Sequence, residues 1–281
     1  MGKGLSEKNY FLVDNGSLRA ESVRTLREIA GQLSSLCDLA VIPMGLMHSH
    51  KVDVGELDGQ PAQSMQSFLE SAEAETLSHI CVIPFFLGPS LAVTDWLPRN
   101  LARWQERGAG RHFRILDVLY RPGDDRLPRA LVDRCREVMH QSGLSSAHVA
   151  LVDHGTPLKE VNQVREEVGL ECRHLLGNEV AGFSTCAMER REGAEYDFND
   201  PLLESLLEKW VGKGVREIIL SQFFLLPGRH AGPGGDLEQI VQPFTDRLPE
   251  LSVHRADNLG THPLVMDILR ERMTEAVGVG A

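Results

Sequence analysis

The amino-acid sequence predicts an α/β protein made of two tandem copies of one three-layer αβα domain, each built on a mostly parallel four-stranded sheet. The segment Tyr10-Phe11-Leu12-Val13-Asp14-Asn15-Gly16-Ser17 matches Val149-Ala150-Leu151-Val152-Asp153-His154-Gly155-Thr156 at an offset of 139. Ile80-Cys81-Val82-Ile83-Pro84-Phe85-Phe86-Leu87 matches Ile218-Ile219-Leu220-Ser221-Gln222-Phe223-Phe224-Leu225 at an offset of 138. Two matches with nearly one offset mark an internal duplication. Within each copy, short apolar runs alternate with stretches of helical period, as expected when crossover helices bury strands on both faces.

The elements follow in order. Phe11 to Asp14 reads as a short buried strand, and Glu21 to Leu36 as a helix with its apolar stripe at Val23, Leu26, Ile29, Ala30 and Leu33. Leu39 to Met44 is the next strand, Pro61 to Ala72 the next helix, and His79 to Phe86 a strand apolar at nearly every position. Pro98 to Arg107 then predicts a helix, Phe113 to Leu119 a strand, and Pro128 to Gln141 a helix stopped by Gly143. The second copy repeats the order, with strands at 149-153, 179-185, 215-222 and 251-255 and helices near 158-175, 200-212, 234-247 and 263-277. Turn-forming residues at Pro122-Gly123-Asp124-Asp125 and Ser142 to Ser146 put the boundary at about 143, dividing the chain into domains 1-143 and 144-281.

Composition narrows the class. The 281 residues are 42% hydrophobic and 25% charged, which fits neither a disordered nor a fibrous chain. The net charge is -11, with 16 basic and 18 acidic residues in 1-140 and 13 and 22 in 141-281, so no basic face is reserved for a nucleic acid. The start lacks a leader-like apolar run, and no apolar run approaches the roughly 18-20 residues that cross a bilayer. The expectation is a soluble cytoplasmic protein without nucleic-acid or membrane partners. Five scattered cysteines, Cys37, Cys81, Cys135, Cys172 and Cys186, form no CxxC pair and suggest neither disulfides nor a zinc knuckle.

Right-handed crossovers bring the C-terminal ends of all parallel strands to one rim, where ligand chemistry is expected. His154 follows the first strand of copy two, and His230 ends the run Phe223-Phe224-Leu225-Leu226-Pro227-Gly228-Arg229-His230 after the third. Two imidazoles facing one cavity suit metal ligation, or ligation paired with proton acceptance. Glu189, beyond the second strand, is a candidate third donor, with Glu192, Glu195 and Asp197 nearby as alternatives. Arg190, Arg191 and Arg229 place positive charge beside this rim, suited to an anionic ligand or to pairing with the adjacent acids. The segment Ala231-Gly232-Pro233-Gly234-Gly235-Asp236 allows close backbone approach and offers N-H groups to carboxylates. Copy one lacks both imidazoles: Asn15 stands at the position of His154 and Ala92 at that of His230. His48 and His50 form an HxH tract with surface or metal-handling readings, and His262 stands where a helix cap is expected.

These motifs resemble the class II tetrapyrrole chelatases, in particular the two-copy, CbiX-like sirohydrochlorin cobaltochelatases and ferrochelatases. His154-Gly155-Thr156 matches that family's HGS strand end, Pro227-Gly228-Arg229-His230 matches its PGRH, and a Gly-Gly-Asp follows in both. The resemblance implies insertion of Co2+ or Fe2+, with Ni2+ as a third candidate, into sirohydrochlorin or a close relative in cobalamin or sirohaem biosynthesis. It implies no nucleotide hydrolysis and no organic cofactor, with the metal as substrate. His154 and His230 then become the metal-binding and proton-accepting pair, with Glu189 as the acidic partner. Thr156, Arg190, Arg191, Arg229, Gly234 and Gly235 become candidates for holding the tetrapyrrole. Only the second copy is expected to be active, in a monomer or homodimer. The competing readings are a non-catalytic metal or tetrapyrrole carrier with the same fold and a structural partner protein.

Overall fold

The fold is described from a computed structural model covering residues 9-232 and 234-278. Both copies are parallel αβα sheets. The first copy runs β1 (Asn9–Asp14), α1 (Ala20–Cys37), β2 (Val41–Gly45), α2 (Met65–Leu69), α3 (Ala72–Thr76), β3 (His79–Pro84), α4 (Leu97–Glu106) and β4 (His112–Ile115), followed in the chain by α5 (Arg126–Gln141). The second runs β5 (His148–Asp153), α6 (Lys159–Leu176), β6 (Gly182–Ala187), α7 (Leu203–Gly212), β7 (Glu217–Gln222), α8 (Asp236–Arg247), β8 (Ser252–Arg255) and α9 (Pro263–Gly278). Strand orders β2-β1-β3-β4 and β6-β5-β7-β8 are the same arrangement twice, with every pairing parallel.

The central strands are apolar because both of their faces are covered. Phe11, Leu12, Val13, Ile80, Val82, Val149, Leu151, Val152, Ile218 and Leu220 are all buried. On one face of the first sheet Phe11, Met44, Phe68, Leu101 and Trp104 close a core, and the Trp104 indole donates to the Ala74 carbonyl at 2.8 Å. In the second sheet Val152, Cys186, Leu207, Trp210, Leu220, Leu237 and Phe244 make the corresponding cluster.

Several local expectations shift, among them the strand expected over 179-185, which runs over Gly182–Ala187 as β6. The helix expected over 61-72 divides into α2 and α3, because Ser64 accepts from Ser67 N–H to start one helix and Ser71 accepts from Ala74 N–H to start another. The strand expected over 113-119 ends at Ile115. Two compact units emerge, one of residues 1-121 with 266-281 and the other of 122-265. Helix α5 therefore packs with α6 and β7 rather than with the sheet that precedes it in the chain. The last helix complements this: Arg121 holds Glu275 by two bonds of 2.7 Å in the first unit. The division expected at residue 143 follows chain order, whereas packing gives each unit the final helix of the other copy. None of the helices among the described residues is long and apolar enough to cross a membrane.

One pair of buried charges separates the copies. At the end of β5, Asp153 is bound at 2.9 Å by Arg165, whose side chain is fully buried and also reaches Glu166 at 2.8 Å. At the duplication offset the first copy has Asp14 and Leu26, so the carboxylate is kept and its guanidinium is lost. Burial pushes the Asp14 carboxyl from 3.8 up to about 7, only partly offset by the Gly16 N–H that it accepts at 3.0 Å.

Arg165→Leu strands the Asp153 carboxylate and is expected to cost about 3-5 kcal/mol at neutral pH in denaturant unfolding. A loss under about 1 kcal/mol would show that the pair only breaks even with an apolar replacement. For Asp14 the sign is opposite to that of an ordinary salt-bridged acid. The folded state holds its proton up to about pH 7 and the unfolded chain only to about 3.8, so this stabilising contribution is complete below 3.8 and disappears by about 7. The stability difference between wild type and Asp14→Asn, followed by chemical denaturation, should therefore decline as pH rises through that window. A pH-independent difference would contradict the assignment.

Candidate metal and tetrapyrrole site

The rim of the second sheet is assembled by backbone bonds. After the paired stretch of β5 and β6, Met188 N–H donates to Asp153 O at 2.8 Å and Glu189 N–H to His154 O at 3.2 Å. Phe223 N–H donates to Val152 O at 2.9 Å on the other side. The chain must then turn sharply, and Gly155 does so at φ 93°; a Cβ there would sit 1.9 Å from the Glu189 carbonyl oxygen. This close approach fixes Glu189 beside His154. Sequence reasoning left the acidic position open by several residues because strand register was not legible.

His154 and His230 lie side by side, their ring centroids 4.3 Å apart at 57°. His230 also stacks at 6.5 Å and 26° on Phe224. Each ring's tautomer follows from its partners. His230 Nδ1 lies 2.7 Å from Asp236 Oδ2, so Nδ1 carries the hydrogen and Nε2 keeps its lone pair. His154 Nδ1 faces the Gly155 carbonyl at 3.2 Å and its Nε2 faces Glu189 Oε1 at 3.3 Å. Both neighbours are acceptors, so a cation between Nε2 and Oε1, a proton or a metal ion, satisfies both. Burial, then the adjacent His154 ring, depress the His230 pKa, and Asp236 partly offsets them.

The three predicted donors thus share the rim, yet among the described residues no group of three His, Cys, Asp or Glu converges as a metal cage. His154 and Glu189 form a pair, with His230 beside it turned onto Asp236. Asp236 was not a sequence candidate, although it closes the Gly-Gly-Asp run; only the fold of the 228-236 loop shows that its carboxylate returns to His230. That loop is held by Gly232 N–H to Gly228 O at 2.9 Å and Leu237 N–H to His230 O at 3.2 Å.

The candidates for holding the tetrapyrrole divide. Thr156 is clamped by Asn199, whose Oδ1 accepts from Thr156 N–H and whose Nδ2 donates to Thr156 O, both at 2.9 Å. Its hydroxyl accepts from Leu158 N–H at 3.1 Å at the start of α6. Arg190 is drawn into the loop by Asp200 and Asp197, each at 3.0 Å, and Arg191 lies over the Tyr196 ring at 5.9 Å. Arg229 is different: its side chain is 77% exposed, with Asp236 3.5 Å away. The backbone N–H groups expected to be open are occupied, Gly234 by Glu238 Oε2 and Gly235 by the Gly232 carbonyl, both at 3.0 Å. Pro233 lies outside the described residues. In a short glycine-rich loop these N–H groups are consumed by the turn itself.

Elsewhere the histidines are structural or exposed. His262 is buried and its Nδ1 accepts from Leu264 N–H at 3.2 Å at the start of α9, while His48 and His50 are exposed on a short 3-10 turn. The first rim repeats the backbone scheme without the chemistry. Leu46 N–H donates to Asp14 O at 2.7 Å, and a Cβ at Gly16 would meet the Met47 carbonyl oxygen at 1.8 Å. Asn15, Met47 and Ala92 therefore occupy the places of His154, Glu189 and His230, and none of the three brings an imidazole or a carboxylate.

Residues 148-276 match the CbiX family. A chloroplastic sirohydrochlorin ferrochelatase of Arabidopsis thaliana is 24% identical over 138 residues, which is 49% of this chain and 56% of the relative, so the match spans about half of that protein's length. Among solved structures, SirB from Bacillus subtilis with Fe3+ superposes with a TM-score of 0.70 at 15% identity, covering 98% of both chains. The sirohydrochlorin chelatase SirB of Bacillus subtilis subspecies spizizenii in complex with cobalt gives 0.68 at 15% identity over 96% of both. At these identities the structural likeness speaks for the fold, and it extends through both copies. The second copy thus matches the CbiX family over residues 148-276, within a duplicated fold that both SirB structures share.

Proposed function

We propose that the second copy inserts a divalent metal, Co2+ or Fe2+, into sirohydrochlorin or a closely related tetrapyrrole without nucleotide hydrolysis. The observation that carries this reading is the apposition of the His154 and His230 rings at 4.3 Å, each with its own carboxylate. The 3.3 Å between His154 Nε2 and Glu189 Oε1 is about the spacing of two donors that share a first-row ion at roughly 2.0-2.2 Å each. Two protein donors hold such an ion less firmly than a closed four-ligand site, and a metal that is a substrate must be released.

Insertion also removes two protons from the pyrrole nitrogens. His230 suits this task because Asp236 fixes the Nδ1–H tautomer and leaves Nε2 as the acceptor, while burial keeps the ring neutral. Arg229, exposed beside the pair, suits a peripheral carboxylate of the macrocycle.

The direct test is anaerobic absorbance spectroscopy with sirohydrochlorin and Co2+, Fe2+ or Ni2+ in turn. Multiple turnovers above the spontaneous rate are expected; stoichiometric binding without conversion would support a carrier instead. In the same assay His230→Ala is expected to fall to the spontaneous rate with its thermal unfolding nearly unchanged, since a part-exposed rim histidine contributes little packing. Activity within about twofold of wild type would remove His230 from the mechanism.

The acid limb of the rate profile should lie below the ordinary imidazole value of 6.5, because His230 remains neutral to lower pH. Asp236 raises the affinity of His230 for its proton, so Asp236→Asn should shift that limb to still lower pH and slow turnover. An unmoved limb would confine Asp236 to a structural role.

A further inference from the structure

The loss of the buried guanidinium from the first copy leaves a space with a definite chemistry. In the second copy Arg165 fills the region beneath the β5–β6 edge, touching the Asp153 carboxylate at 2.9 Å, Glu166 at 2.8 Å and the Asn199 carbonyl at 3.3 Å. The two copies superpose here by register. Asp14 pairs with Gly45 as Asp153 pairs with Ala187. Gly45 N–H donates to Gln63 O at 3.3 Å as Ala187 N–H donates to Pro201 O at 3.1 Å. The counterparts of Arg165, Asp153, Glu166 and Asn199 are therefore Leu26, Asp14, Arg27 and Pro61.

All four line a cavity of about 230 Å³ in the first unit. It is smaller than the roughly 300-1,000 Å³ of common small-molecule sites, so it suits a head group rather than a macrocycle. Ser17 and Ser49 also line it, and Ser49 Oγ accepts from Ser17 N–H at 3.1 Å. Arg27 does not replace the missing cation at Asp14: its guanidinium nitrogens donate to the carbonyls of Leu57 at 3.4 Å and Gln60 at 2.8 Å.

We infer that this cavity binds a small guanidinium-bearing molecule, whose planar cation takes the place at Asp14 that the Arg165 side chain takes at Asp153. The burial of an aspartate without its cation supports this, since the Asp14 carboxyl is held largely protonated below about pH 7 and a bound cation would draw it into the ionised form. A guanidinium suits the site better than an ammonium because its planar fork can engage the carboxylate through two parallel N–H groups. The inference is independent of the chemistry at His154 and His230.

Isothermal titration of the full chain at pH 8 with methylguanidinium, and in parallel with methylammonium, tests it. Saturable one-site binding of methylguanidinium is expected, with methylammonium weaker. Asp14→Asn, nearly isosteric, should weaken binding by at least about tenfold, the scale of a lost charge-assisted bond. Leu26→Arg, which supplies the guanidinium from the position used by the second copy, should abolish it. No saturable binding, binding unaffected by Asp14→Asn, or a preference for methylammonium would each overturn the proposal. If Leu26→Arg fails to fold, Asp14→Asn alone still decides.

Discussion

Parallel register at the C-terminal edge of a sheet is the constraint on which the candidate site depends. Because β5 lies between β6 and β7, the residues that follow all three strands emerge at one rim. Three backbone bonds, from Met188, Glu189 and Phe223, then fix where each exit begins. His154, Glu189 and His230 are far apart in the chain and meet only through this pairing. Gly155 belongs to the same constraint, since its positive φ and missing Cβ let the β6 exit pass within van der Waals reach of the turn.

The duplication separates scaffold from chemistry. Both copies keep the strand order, the glycine turn and the aspartate at the end of the first strand. The first copy has exchanged the rim imidazoles and carboxylate for Asn15, Met47 and Ala92, and its buried guanidinium for Leu26. A sheet buried on both faces tolerates the rim changes because its stability comes from the apolar strands and the helices that cover them rather than from rim side chains. Rim polarity and buried-charge pairing thus both differ between the two copies on one framework.

Much of this was legible in the sequence. The matching offsets revealed the repeat, and unbroken apolar runs such as Ile80-Cys81-Val82-Ile83 revealed parallel strands. Position after a strand marked His154 and His230. Less legible was whatever depends on tertiary return of the chain. Asp236 reaches His230 only through the folded 228-236 loop, and the packing of α5 on α6 and β7 left no local signal. Hydrogen-bond capacity was also easier to list than to allocate. Arg190, Thr156 and the Gly234 and Gly235 amides are capable donors or acceptors by type, but nearby Asp197, Asp200, Asn199 and Glu238 engage them within the protein.

We propose that an incoming metal is taken up between His154 Nε2 and Glu189 Oε1, beside the His230 ring. Anomalous-difference maps from anaerobic crystals soaked in Co2+, recorded on both sides of the cobalt edge, test this most directly. One principal peak is predicted within bonding distance of both His154 Nε2 and Glu189 Oε1. A principal peak elsewhere, at His48 and His50 for example, with none at His154 Nε2 and Glu189, would contradict it.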